Sequence, residues 1–447
     1  MKSNYIIELG ALAERNNSIQ PAFYGKYEVK RGLRNANGTG VLVGLTEIGD
    51  VHGYIMDEGE KVPVDGRLRY RGINLSDIVQ GFQKDGRFGF EEVIYLLMFG
   101  RLPSQEELDK FTGLLGLCRS LPNDFLEDMI LKAPSNDIMN KLARSVLVLY
   151  SYDDNPDDTS IVNLIRQAIE LIARFPALIA YGYQAKTYNL LDKSLVIRNP
   201  DPDLSTAENI LLMTRDSGEY TRLEAEILDL MLVVHAEHGG GNNSAFTAHV
   251  VASSGTDMYS SIAAAVGSLK GPRHGGANIR VNGMMNELKS SIASWDSDDE
   301  VRDYLTRILK KDAYDRSGLI YGIGHAVYTQ SDPRCEILKN KAFELAETTG
   351  RMEEYELYRS VERLAPEVFR DVKQNKKALC ANVDFYSGFV YEMLGIPRDI
   401  FTPLFAASRI AGWSAHIIEE VLNGGRIIRP AYKNVQEKEK YKPMSER

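Results

Sequence analysis

Cysteine is scarce in this 447-residue chain: Cys118, Cys335 and Cys380 lie far apart and form no Cys-x-x-Cys pair. That spacing excludes a disulfide framework and a zinc ribbon, and it suits a reducing compartment. Long apolar runs are missing as well. No stretch of about 18 apolar residues occurs, and Glu8 and Glu14 interrupt the N-terminal segment, so neither a membrane span nor a signal peptide is expected. Cationic excess is absent too, since 62 Asp and Glu outweigh 53 Lys and Arg for a formal charge of -9. Non-specific nucleic-acid binding needs a basic surface that releases counterions, and this composition argues against it. The expected setting is the cytoplasm, with neither nucleic acid nor membrane as partner. Internal repeats and low-complexity linkers are also lacking.

What the chain does contain is ordinary globular material. Hydrophobic residues at 44% and charged residues at 26% match folded averages, which removes disorder and fibrous repeats from consideration. The length suits two or three domains, or one large domain with a smaller companion. Residues 40–65, rich in Val, Ile, Gly and Thr, predict short strands and turns. Apolar positions recur at three- and four-residue intervals over residues 91–99, 140–150, 222–234, 258–269, 301–309 and 338–346, so the rest is expected to be helical. A further helix is expected with Thr402 as N-cap and Pro403 in the first turn, ending after Leu422 at Gly424 and Gly425.

Five of the seven histidines, His235, His238, His249, His274 and His325, crowd into about a fifth of the chain. Crowding of this kind suggests chemistry, because histidine titrates closest to neutral pH, although a lone histidine is more often a hydrogen-bonded structural residue. Two have informative surroundings. His274 sits in Gly271-Pro272-Arg273-His274-Gly275-Gly276, a tight loop after an apolar helix whose small neighbours let a ligand approach the ring. His325 follows Gly322 and Gly324 and precedes Asp332-Pro333-Arg334. Asp384, next to an apolar segment and just before Gly388, is a candidate for a semi-buried carboxylate with a raised pKa, able to act as a general base. His235 and His238 share one helical face at i and i+3, yet no His-Glu-x-x-His motif is present, and no metal site is expected. Gly38-Thr39-Gly40 precedes a β-like run where a dinucleotide loop would need a helix, so a turn is expected.

These residues together resemble the citrate synthase family, including its 2-methylcitrate-forming members. The resemblance is carried by residues 235–244, 271–278 and 322–334, then by residues 382–388 continuing into Ser408-Arg409 and Arg429-Pro430, with Gly66-Arg67-Leu68-Arg69-Tyr70-Arg71-Gly72-Ile73 as an N-terminal block. It implies a mainly α-helical homodimer. Residues 1–278 and 391–447 would form a large domain and residues 279–390 a small domain that closes over the substrates. It further implies that Asp384 removes a proton from the acyl methyl of a coenzyme A thioester, that His274 hydrogen-bonds the enol or enolate oxygen, and that His325 donates to the oxaloacetate carbonyl. His238, Arg334, Arg409 and Arg429 would hold oxaloacetate, with Arg429 reaching across from the partner subunit.

General chemistry agrees with those implied roles. A thioester α-proton is so weakly acidic that a carboxylate base succeeds only when a preorganised donor meets the developing oxyanion. Guanidinium forks suit the two carboxylates of oxaloacetate, and Arg409, placed between Phe405 and Trp413 at helical spacing, would be costly to bury unpaired. No metal or redox cofactor is called for; the coenzyme A thioester, acetyl or propionyl, is a substrate. One departure concerns the coenzyme phosphates. Ala326 and Thr329 stand where the family usually carries a basic residue, so Lys376 and Lys377, a few positions before Asp384, are the expected replacements. Two other classes stay open: a non-catalytic acyl-coenzyme A or dicarboxylate sensor on the same scaffold, and a zinc hydrolase built on His235 and His238.

Overall fold

The computed structural model describes residues 2–374 and 378–447. Helices take up 59% of the chain and strands 6%, the mainly α architecture with few short strands that the sequence predicts.

The chain divides into two units. The first comprises Met1–Leu45, Asp57–Lys61 and Arg429–Arg447. It carries α1 (Lys2–Asn16) and α2 (Pro21–Lys26), and α1 leaves Ile6, Ile7, Leu9 and Leu12 exposed. Gly38 adopts φ 80°, and Asn35 N–H donates to the Thr39 carbonyl across the bend at 2.9 Å. The glycine run there is a turn.

The second unit comprises Thr46–Met56 and Val62–Ile428. Strands β1 (Gly49–Asp57), β2 (Glu60–Tyr70) and β3 (Ile73–Asn74) form one sheet in that order, with β2 antiparallel to β3 and Tyr70 opposite Ile73. The strands therefore begin later and end later than the predicted residues 40–65. Leu68 and Tyr70 alternate inward and are almost wholly buried, which carries β2 on to Tyr70.

Helices follow: α3 (Leu75–Lys84), α4 (Phe90–Phe99), α5 (Gln105–Cys118), α6 (Ile138–Leu149), α7 (Ile161–Leu191), α8 (Thr206–Thr214) and α9 (Arg222–His235). Beyond them lie α10 (Asn243–Ala252), α11 (Met258–Lys270), α12 (Ala277–Ser291), α13 (Asp298–Leu309), α14 (Pro333–Thr349), α15 (Met352–Lys373), α16 (Val383–Met393) and α17 (Phe401–Leu422). All six periodic segments are helices. Their ends run further where caps extend them: Asp332, accepting from Arg334 N–H, starts α14 five residues before the periodicity does.

The core centres on α17, which packs against α4, α7, α9, α10 and α11. Residues 401–418 of this helix are buried on every face. Side chains such as Leu404, Ile410, Trp413 and Ile417 each contribute roughly 1.5–3 kcal/mol through that burial. Its start differs from the predicted one. A 3-10 turn, Arg398–Ile400, runs directly into Phe401, and the Thr402 hydroxyl, instead of capping, donates to the Gly275 carbonyl at 3.2 Å. Gly424 at φ 59° follows the helix end, whereas Gly425 keeps an ordinary φ. Among the described residues, no helix is long and apolar enough to cross a membrane.

Candidate active site

Arg409 lies in the middle of α17 and is 1% exposed. Its Nε donates to the His235 carbonyl at 2.5 Å, and its guanidinium carbon lies 4.7 Å from the Phe405 ring centroid. Nη2 is buried with no hydrogen-bond partner. Burial lowers the guanidinium to about 10 although Glu237 opposes the fall, and Arg334 adds to it. A cation held dry with one edge unpaired is costly, and a ligand carboxylate is the natural complement to that edge.

Arg334 is 3% exposed and belongs to the first turn of α14. Its Nε and Nη2 grip the two oxygens of Asp332 at 3.0 and 2.8 Å. The same carboxylate caps the helix and accepts Val383 N–H at 3.2 Å. Half of the Arg334 fork is thus already engaged by Asp332. Sequence reasoning missed the part played by Asp332. The signal was present in Asp332-Pro333, an N-cap followed by proline at the first helical position.

His325 and Asp384 are 59 residues apart in the chain, yet a short antiparallel bridge joins their segments. Ile323 pairs with Ala381, Gly324 N–H donates to the Cys380 carbonyl at 2.7 Å, and Asn382 N–H donates to the Gly322 carbonyl at 2.8 Å. Gly322 at φ 79° must be glycine for space as well, because a Cβ there would stand 2.8 Å from Phe385 and Val281. The His325 ring stacks on Tyr328 with centroids 4.8 Å apart. Its Nδ1 accepts both Val327 N–H at 3.0 Å and Tyr328 N–H at 3.1 Å, which places the ring proton of the neutral form on Nε2 as a donor. Asp384 occupies the first turn of α16, capped by Asn382, whose side chain accepts Asp384 N–H at 3.0 Å. Burial raises its carboxyl to about 6, against the pull of Arg334 and Arg409.

His274 stands in the loop between α11 and α12. Its Nε2 lies 2.9 Å from Ser244 Oγ and accepts Ser244 N–H at 3.3 Å. Trp413 Nε1–H donates to the same Oγ at 3.1 Å, and Asn242 holds Ser244 from the other side at 3.0 Å. Burial pushes the ring down to about 4, with Arg409 adding to the shift. At neutral pH the ring is uncharged, accepts at Nε2 and carries its proton on Nδ1.

His238 follows α9 and sits edge-on to the His325 ring, centroids 5.1 Å apart. Its Nε2 is buried without a hydrogen-bond partner. Burial holds its protonation well below the ordinary value, and Arg334, His325, Arg409 and His274 all add to that. His238, His274, His325, Arg334, Arg409 and Asp384 therefore share one electrostatic neighbourhood inside the second unit. The remaining candidates are placed otherwise. Arg429 belongs to the first unit and is exposed. Lys376 and Lys377 lie outside the described residues. His235 donates from Nδ1 to the Met231 carbonyl at 2.8 Å, packs on Phe405 and is pushed by burial to about 3, while its Nε2 is buried with no hydrogen-bond partner.

A family model described as citrate synthase, C-terminal domain, matches residues 36–431. The chain is 34% identical over 426 residues to the citrate synthase of Haloferax volcanii, covering 94% of this chain and 99% of that protein. It is 31% identical over 437 residues to 2-methylcitrate synthase 1 of Corynebacterium glutamicum, covering 94% and 99%. The fold superposes with a TM-score of 0.76 on the ternary complex of carboxymethyl coenzyme A and oxaloacetate with citrate synthase from Thermoplasma acidophilum, at 26% identity and with 94% and 99% of the two chains covered. With a family model spanning most of its length and relatives above 30% identity across nearly all of it, the chain belongs to the citrate synthase family.

Proposed function

We propose that this protein condenses acetyl-coenzyme A with oxaloacetate and water to give citrate and free coenzyme A. The observation that carries the reading is the pairing of a buried carboxyl held near 6, Asp384, with a fully buried Arg409 whose Nη2 has no partner. A base of that strength works near neutral pH, and the orphaned guanidinium edge awaits an anion.

In this reading Asp384 takes a proton from the acyl methyl while His274 Nδ1–H steadies the oxygen of the enol or enolate. The nucleophilic carbon then bonds to the keto carbon of oxaloacetate, and His325 Nε2–H donates to the carbonyl oxygen as it becomes an alkoxide. Water finally cleaves the thioester. The carboxylates of oxaloacetate meet Arg409 Nη2, the Nη1 edge of Arg334 and His238, and the partner subunit supplies a second copy of Arg429 to complete the set. No step transfers electrons to an acceptor, so the condensation draws only on protein groups and the two substrates. A homodimer accords with the apolar residues that α1 exposes. Closure of residues 279–390 over residues 1–278 and 391–447 would bring the His325 and Asp384 segments onto His274. A place in the cytoplasm, within the tricarboxylic acid cycle, completes the reading, and three free thiols accord with a reducing compartment.

A second reading, 2-methylcitrate synthesis from propionyl-coenzyme A, is favoured by the similarity to 2-methylcitrate synthase 1 of Corynebacterium glutamicum. A thiol-release assay with oxaloacetate and either acyl-coenzyme A separates the two, and release with neither would leave the sensor reading in possession.

A further inference from the structure

A second polar cluster takes no part in the proposed condensation. His416 and Glu419 stand at i and i+3 on α17, and His249 faces them from α10. His416 Nδ1 and His249 Nε2 are 3.2 Å apart, and Glu419 Oε2 lies 3.8 Å from His416 Nδ1. These three atoms all fall within 4.8 Å of one another.

We propose that His249 Nε2, His416 Nδ1 and Glu419 Oε2 form a binding site for a divalent transition metal of the zinc type, which staples α10 to α17. Four features carry this. A tetrahedral ion with metal–nitrogen distances of about 2.0–2.1 Å spaces two nitrogen ligands about 3.3 Å apart, close to the separation already present. Both rings have the outer support that ligating histidines need: His416 Nε2 sits on Glu237 Oε1 at 3.1 Å and His249 Nδ1 on Glu420 Oε2 at 2.9 Å. Glu419 is anchored through Oε1, which accepts Glu47 N–H at 2.8 Å, while its Oε2 is buried with no hydrogen-bond partner. Gly240 leaves the space beside the rings, since a Cβ there would approach His416 Cε1 to 3.2 Å and His249 Nε2 to 3.3 Å.

Three carboxylates, Glu237, Glu419 and Glu420, converge on two imidazoles, and a dication between the rings offsets that charge better than a proton in the same place would. His249 and Glu419 keep side-chain exposures of 12%, a route by which the ion enters, and water would complete the coordination. The site is structural in character. It joins the helix whose first turn carries Ser244 to the helix that carries Arg409 and Trp413.

The test is titration of chelator-treated full-length protein with Co²⁺, read by visible d–d absorption, with thermal unfolding followed in the presence of Zn²⁺. The expected result is one equivalent per chain with the intense bands of low-coordinate cobalt and a melting temperature raised by Zn²⁺. His249→Ala and Glu419→Gln should each weaken binding at least tenfold, and Glu420→Gln, which touches only the supporting hydrogen bond, about tenfold. Each variant is checked for native helicity, and because His249 and Glu420 sit at the edge of the core, a folding failure in one leaves the others to decide. Absence of a stoichiometric cobalt site in the wild-type protein, or binding unchanged by all three substitutions, would overturn the proposal.

Discussion

Ser244 and His274 meet 2.9 Å apart, and the Ser244 N–H aimed at Nε2 fixes which ring nitrogen carries the proton. The neutral ring then carries its proton on Nδ1, a donor that needs no protonation at pH 7. Ser244→Ala removes the hydroxyl that Trp413 also holds. It should lower kcat about tenfold while the KM for oxaloacetate stays near the wild-type value, because the loss falls on ring orientation during enolisation. Steady-state kinetics, with nitrogen NMR of the His274 ring as a second readout, check this. An unchanged kcat would show that the Ser244 hydroxyl does not orient the ring.

With its carboxyl raised by burial to about 6, the base role proposed for Asp384 ties activity as well as stability to pH. The base must be ionised, so kcat/KM should climb as pH passes through about 6 and level off above it. Stability runs the opposite way. Ionisation is harder in the fold than in the unfolded chain, so the charged group weighs against folding above about 6, and the penalty vanishes below the ordinary value of 3.8. Asp384→Asn should therefore raise the melting temperature by a few degrees near pH 8 and lose that advantage as pH falls through the window between those two values. Equal melting temperatures at pH 8 would mean the carboxylate is better solvated than its burial implies.

Arg429 is exposed in its own chain, in keeping with a role in a neighbouring site. Inactive Arg429→Ala and Asp384→Asn proteins, once their subunits exchange, should recover about one quarter of wild-type turnover. Half the dimers are then hybrids, and each hybrid contains one of two sites with both native residues. No recovery after verified exchange counts against a shared site.

For the coenzyme phosphates, Lys376 and Lys377 remain the nearest cationic pair along the chain to Asp384. Replacing both with alanine should raise the KM for acetyl-coenzyme A severalfold and flatten its salt dependence, with the KM for oxaloacetate unchanged. Unaltered constants at low and high salt would assign the phosphates to other groups.

Much of this site could be read along the chain because glycine and proline mark the loops that carry it. His274 and His325 stand beside residues that only a tight turn explains, and Arg409 stands out as a charge on an apolar helical face. What could not be read depends on partners far apart in sequence. Asp332 occupies half of the Arg334 fork because one carboxylate also caps α14 and ties down Val383. The buried pairing of His416 with Glu237 joins residues 179 positions apart, and no local pattern announces it. The start of α17 departs from the cap expected at Thr402 for a related reason: Thr402 has the right chemistry for a cap, but its hydroxyl donates to the Gly275 carbonyl beside His274.

The most direct test of the central claim is thiol release from acetyl-coenzyme A and oxaloacetate by the wild-type protein and by its Asp384→Asn and His274→Ala variants. The account predicts oxaloacetate-dependent release by the wild type, a loss of about 10²–10⁴-fold in each variant, and oxaloacetate binding by both variants close to that of the wild type. Turnover near the wild-type rate in either variant, or no oxaloacetate-dependent release from acetyl- or propionyl-coenzyme A by the wild type, would contradict it.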